Sequence, residues 1–207
     1  PVFRWFLGRG CQQADAEDLA QEVFRRLVQQ DILVRADRDK GRLRALLVAI
    51  ARNVLREDVR HRHALKRSPG AAPVSLEDLG GDAAVSDPAP QSDGEFDRLW
   101  VANLIEEALL AVEEEDPERG KAAIELLRMR VAEGASYEAL ATRTGMSVEE
   151  VRRRLHRARE RLTARLWDLV RRYSSSRDEY DEELALVKRL VEVQGGEILS
   201  QVATGQL

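Results

Sequence analysis

A single cysteine, Cys11, is all the thiol this 207-residue chain carries. That excludes an internal disulfide framework and fits a reducing compartment. No run of about 18 apolar residues is present and no signal peptide opens the chain, so it reads as soluble and cytoplasmic, with no membrane partner. It begins on Pro1 rather than a methionine, so a native start upstream is expected. No nucleophile–base pair, metal cluster or phosphate-binding glycine loop can be read from it, so no catalytic residue, cofactor or metal is expected and the chain reads as a non-enzyme. His61 and His63 are two apart on a predicted helix and do not face each other, which disfavours a metal pair.

What is present is unevenly placed. The length suffices for one large or two small domains with cores of their own. The net charge of -4 hides basic blocks at residues 52–67 and 152–165, whereas residues 77–97 hold seven acids and no base. The local blocks therefore say more about partners than the whole-chain balance.

Residues 136–166 concentrate the strongest local signals. Ser136 opens an apolar-periodic run, Gly145 closes it, and Ser147 with Glu150 three residues later forms a capping box. In the second helix Val151, Leu155, Ala158, Leu162 and Leu166 form one apolar stripe, with Leu140, Ala141 and Met146 completing a small core. The opposite face carries Arg152, Arg153, Arg154, His156, Arg157, Arg159, Arg161 and Arg165 against only Glu149, Glu150 and Glu160. One reading is a helix-turn-helix whose second helix enters a DNA major groove. The other is a structural hairpin with a solvated basic face. The near-single sign of the charge and the choice of arginine, suited to bidentate contacts with guanine and phosphate, favour the first.

Upstream, Val2, Phe3, Trp5, Phe6 and Leu7 read as a helix stopped at Gly8 and Gly10. Asp15 is expected to cap a second helix with Leu19, Val23, Phe24 and Leu27 inward. Its acidic front, Asp15, Glu17, Asp18 and Glu22, also suits the helix macrodipole. After a charged loop closing at Gly41, Leu43, Leu46, Leu47, Ile50, Val54 and Val59 mark a long amphipathic helix. Its later half bears Arg52, Arg56, Arg60, Arg62, Lys66 and Arg67.

Residues 68–95 break all periodicity with Pro69, Pro73, Pro88 and Pro90, and read as a flexible acidic linker. It is either a plain tether or the occupant of a channel built for nucleic acid. Helix resumes at Phe96, breaks at Asp116-Pro117, and continues to Val131. Beyond Arg172 and three serines, a last helix is expected from about Asp178 to Val193, with Leu184, Val187, Leu190 and Val191 on one side, ended by Gly195-Gly196. The fold class is thus all-α: two small helical domains, 1–67 and 96–172, joined by the linker 68–95, with an extension at 173–207.

The chain resembles the compact extracytoplasmic-function (ECF) sigma factors of the sigma-70 superfamily, which have only regions 2 and 4. The likeness rests on Asp15–Phe24, on Ile50-Ala51-Arg52-Asn53, and on residues 136–162 with His156-Arg157-Ala158-Arg159, in that order. It covers about residues 5–67 and 96–172. The chain departs in having Leu43 and Leu46 where the family often has Phe and Trp, and in its extension after Arg172.

The resemblance implies a sigma factor that binds core RNA polymerase and recognises -10 and -35 promoter elements. Asp15, Asp18, Gln21 and Glu22 would dock on the polymerase clamp. Arg52, Asn53, Arg56 and Arg60, with the loop 35–42, would engage the -10 element and the melted strand. Ser147, Arg152, Arg153, His156, Arg157 and Arg159 would read the -35 duplex. An anti-sigma protein, a regulatory kinase or the extension itself remain open as the regulator. Two other functions stay open beside this one: a polymerase-independent helix-turn-helix transcription regulator, and a protein-interaction module.

Overall fold

The computed structural model describes residues 1–29, 43–67 and 93–204, with the backbone alone at 63–67, 200 and 202–204. The loop 35–42 and most of the expected linker, 68–92, lie outside the described residues. All regular structure among the described residues is α-helical, and the chain divides into two compact units, Val2–Asp93 and Gly94–Leu207, with Pro1 grouped with the second. No described helix is long and apolar enough to cross a membrane.

The N-terminal unit packs three helices, α1 (Val2–Gly8), α2 (Gln13–Gln29) and α3 (Leu43–Arg67). Val2, Trp5 and Phe6 of α1 are buried, the two rings edge-to-face at 5.3 Å. Helix α2 starts two residues before Asp15, because the Gln12 carbonyl already accepts from Ala16 N at 2.8 Å. Asp15 therefore sits in the first turn rather than at the cap. The buried stripe of α2 is Ala16, Ala20, Val23 and Leu27. Phe24, expected inward, follows Val23 by about 100° of rotation and is 50% exposed. On α3, Leu47, Val48, Ile50, Ala51 and Val54 are buried, while Val59 falls outside this stripe and is 43% exposed.

The C-terminal unit is built around α4 (Gly94–Glu115), which begins two residues before the expected Phe96. Phe96, Trp100, Val101, Leu104, Ile105, Ala108 and Val112 are buried, so apolar residues surround the helix rather than form one stripe. It packs against α5 (Pro117–Val131), against α7 (Val148–Tyr173) and against α8 (Arg177–Thr204). The corner between α4 and α5 is tight: Asp116 caps α5 by accepting from Arg119 N at 3.1 Å, and Pro117 follows. One turn on, Gly120 lies so close that a Cβ there would stand 2.4 Å from the Val112 carbonyl oxygen.

Helix α8 corrects the expected end at Gly195-Gly196, for it continues through both glycines to Thr204. Its inner side is Glu183, Leu186, Val187 and Ile198, whereas Val191 is 38% exposed. Each mid-helix glycine costs about 1 kcal/mol, and full burial of an isoleucine such as Ile198 returns about 1.5–3 kcal/mol. Packing decides the length of this helix.

Candidate nucleic-acid interface

The predicted helix, tight turn and second helix lie where the caps placed them. Ser136 Oγ accepts from Ala139 N at 3.1 Å to start α6 (Tyr137–Thr144). Gly145 ends it at φ 67°, a left-handed conformation that glycine adopts without penalty. Ser147 Oγ then accepts from Glu150 N at 3.1 Å to start α7. The Ser147 hydroxyl is thus engaged in capping. Leu140, Val151, Leu155, Ala158 and Leu166 are buried, with Leu162, Ala141 and Met146 half-buried, so the apolar stripe faces the unit's core.

The arginines of α7 are not equivalent. Arg153 and Arg154 both pair with Glu150, the latter from Nε at 2.7 Å, and Arg165 pairs with Glu115 of α4. His156 Nε2 lies 3.4 Å from a Glu160 carboxylate oxygen. Arg152, Arg157, Arg159 and Arg161 are exposed and have no carboxylate within ion-pair distance among the described residues. Arg152 instead lies over the ring of Tyr137, 5.1 Å from its centroid. The exposed positive charge is therefore concentrated on four side chains of the eight basic ones that the pattern offers.

On α3, Arg52, Arg56 and Arg60 repeat every four residues and share one row. Arg52 is half-buried and donates from Nη2 to Asp93 Oδ2 at 3.2 Å. Two further donors meet the same oxygen: Trp5 Nε1 at 3.3 Å and Arg9 Nη2 at 3.0 Å. Arg56 and Arg60 are exposed, and Asn53 Oδ1 lies 3.5 Å from Arg56 Nη1. Arg62 is paired with Asp15 at 3.1 Å and Asp58 at 2.8 Å, so it belongs to the α2–α3 packing. The side chains of Lys66 and Arg67 lie outside the described residues.

The acidic face of α2 also divides. Asp15 serves the pair with Arg62. Glu22 accepts from Arg25 at 2.6 Å and from Arg26 at 2.6 Å, and Arg26 in turn reaches Glu57 of α3. Hydrogen bonding to Arg25, then to Arg26, holds the Glu22 carboxyl down at about 2. Asp18 and Gln21 remain exposed, and with Glu22, Phe24, Arg25 and Val28 they line a shallow hollow. The exposed Phe24 and Val28 were hidden from sequence reasoning, which put Phe24 in the core.

Residues 8–168, more than three quarters of the chain, match the family described as ECF sigma factor. The chain belongs to that family. No curated protein and no solved structure matches it at a significant level.

Members of the family are sigma factors of RNA polymerase, non-enzymatic DNA-binding proteins of transcription initiation that partner with core polymerase and promoter DNA, and often with anti-sigma factors. In this sigma factor the match begins at residue 8, ahead of the α2 hollow, and stops at 168, within the last two turns of α7. Helix α8 lies beyond it, yet packs into the same unit as α4, α5 and α7. It meets α7 toward that helix's end, where Lys188 lies over the Trp167 ring and Arg171 over the Tyr180 ring. The arginines at 152, 157, 159 and 161 stay exposed beside it.

Proposed function

We propose that this sigma factor binds core RNA polymerase and directs it to promoters with -10 and -35 elements, α7 reading the -35 duplex and α3 the -10 region. The observation that carries the reading is the set of exposed arginines on α7 with no carboxylate in ion-pair distance among the described residues, behind a turn capped at both ends, within a chain matched to the family from the α2 face to α7. Arg152, His156, Arg157 and Arg159 make the base and phosphate contacts, with Arg153 held back by Glu150 and Ser147 acting as the cap. Arg56, Arg60 and Asn53 meet the -10 region, and Arg52 supports them from its site on Asp93.

Polymerase docks on the hollow of α2. Phe24 and Val28 supply apolar area, Asp18 and Gln21 the exposed polar groups, and Glu22 a charge already shared with Arg25 and Arg26. Asp15 acts one step back, by holding α2 to α3. Helix α8 leaves the arginine face open, so the extension does not act by covering that face. Run-off transcription with purified core polymerase tests the reading: the chain should confer promoter-specific initiation without any other sigma factor. High-affinity, sequence-specific duplex binding with no effect on core would replace it by a polymerase-independent regulator.

A further inference from the structure

Three helices bring Arg130 of α5, Tyr137 of α6 and Arg152 of α7 to one place. The guanidinium carbons of Arg130 and Arg152 lie over the Tyr137 ring, 5.0 Å and 5.1 Å from its centroid. Arg130 is anchored from behind, its Nη1 donating to the Ala135 carbonyl at 2.9 Å, and its buried Nε has no partner. Arg159, two turns beyond Arg152, approaches the hydroxyl: the phenol is held below its ordinary value by hydrogen bonding to Arg130 first and to Arg159 next. None of the three arginines has a carboxylate within ion-pair distance among the described residues, although Arg153 and Arg154 beside them both have Glu150. Beside Tyr137 stand Ser136, which caps α6, and exposed Glu138, whose carboxyl feels Arg152 and Arg130 weakly after its own backbone and Ser136.

Like charges gathered in this way repel one another unless something between them attracts. The face of an aromatic ring does so without neutralising them. The cluster therefore retains its positive charge. A guanidinium fork matches the oxygens of a phosphate group, and several forks held together lose little freedom on binding one.

We infer that Tyr137 is a positioning residue, whose ring gathers Arg130 and Arg152, with Arg159 beside its hydroxyl, into a single seat for one backbone phosphate of duplex DNA. This rests on the DNA-binding reading above and deepens it, since it assigns a place to Arg130 and Tyr137, which stand outside the contact set proposed there. It also accounts for the partial burial of Tyr137 in an otherwise exposed surface. Above its own pKa the phenolate becomes an internal counter-ion for Arg130 and Arg159, and the seat loses charge.

The test is binding of the full chain to a labelled mixed-sequence duplex by fluorescence anisotropy, over a range of salt and pH. Tyr137→Leu should weaken binding about tenfold and lower the salt slope by about one phosphate contact. Tyr137→Phe keeps the ring and should bind within about twofold of the native chain at neutral pH. As pH rises toward 10 the native chain should lose affinity while Tyr137→Phe does not. Native affinity and slope in Tyr137→Leu, with Arg157→Ala weakened, would overturn the positioning role and leave DNA binding intact. Native binding in Arg152→Ala and Arg157→Ala as well would overturn the DNA reading itself. Should Tyr137→Leu lose its helical circular dichroism, the pH comparison decides, and parallel profiles for the native chain and Tyr137→Phe reject the inference.

Discussion

Arg52 Nη2 stands 3.2 Å from Asp93 Oδ2, joining a residue that sequence reasoning gave to DNA with the last residue before α4. The carboxylate is 7% exposed and also receives Arg9 and the Trp5 indole. Arg52 is therefore first a structural residue of the N-terminal unit. Asp93→Ala should cost about 1–3 kcal/mol by stranding these donors, less than a fully buried pair because Arg9 and Arg52 keep 38% and 31% of their side chains in water. Hydrogen exchange of α1 and α3 amides reads this out, and unchanged protection would refute it. Any promoter defect of Arg52→Ala has to be compared with that loss.

Glu22 gives a pH-dependent prediction. Its carboxyl, ordinarily near 4.5, is held at about 2 in the folded chain by Arg25 and then Arg26. A depressed folded value means that its stabilisation is fully present above about 4.5 and is lost as pH falls toward 2. With 26% of the side chain exposed, screening leaves about 1 kcal/mol of it. Glu22→Gln should therefore be less stable than the native chain in urea at neutral pH, with the gap closing near pH 2. Asp18→Ala and Phe24→Ala should weaken polymerase docking with little loss of stability, whereas Glu22→Ala loses both.

Arg153 and Arg157 differ only in their neighbours. Because Arg153 shares Glu150 and Arg157 has no carboxylate partner among the described residues, Arg157→Ala should cost about 1–3 kcal/mol in duplex binding, if it meets a base. Arg153→Ala should cost less than about 1 kcal/mol. Equal losses in electrophoretic mobility-shift titrations would show that Glu150 releases Arg153 on DNA.

Gly120→Ala should destabilise the C-terminal unit by about 1–3 kcal/mol, since the added Cβ meets the Val112 carbonyl and Glu113 Cα, both backbone. The shift would appear in thermal unfolding followed by circular dichroism.

Helix α8 can be tested beyond its glycines. Ile198→Ala should cost about 2–5 kcal/mol if the helix packs through Gly195 and Gly196. Gly196→Ala, with open space around its Cβ, should add about 0.5–1 kcal/mol. An Ile198→Ala variant as stable as the native chain would mean that the helix ends at the glycines after all.

Residues close in sequence decided much of this protein. Ser136, Gly145, Ser147 and the Asp116-Pro117 corner set helix ends through hydrogen bonds made within four residues, and the Val151–Leu155–Ala158 spacing set the inward face of α7. The family likeness, too, rests on local segments in order. Tertiary structure decided which charges are spent between helices. It paired Arg52 with Asp93, Arg62 with Asp15 and Arg26 with Glu57, and it left Arg152, Arg157 and Arg159 without carboxylate partners among the described residues. It also turned Phe24 to solvent, carried α8 across two glycines and gathered Tyr137 among arginines from two other helices. Local hydrogen bonds act between neighbours in the chain, whereas ion pairs, ring contacts and burial depend on distances that only the packed helices set.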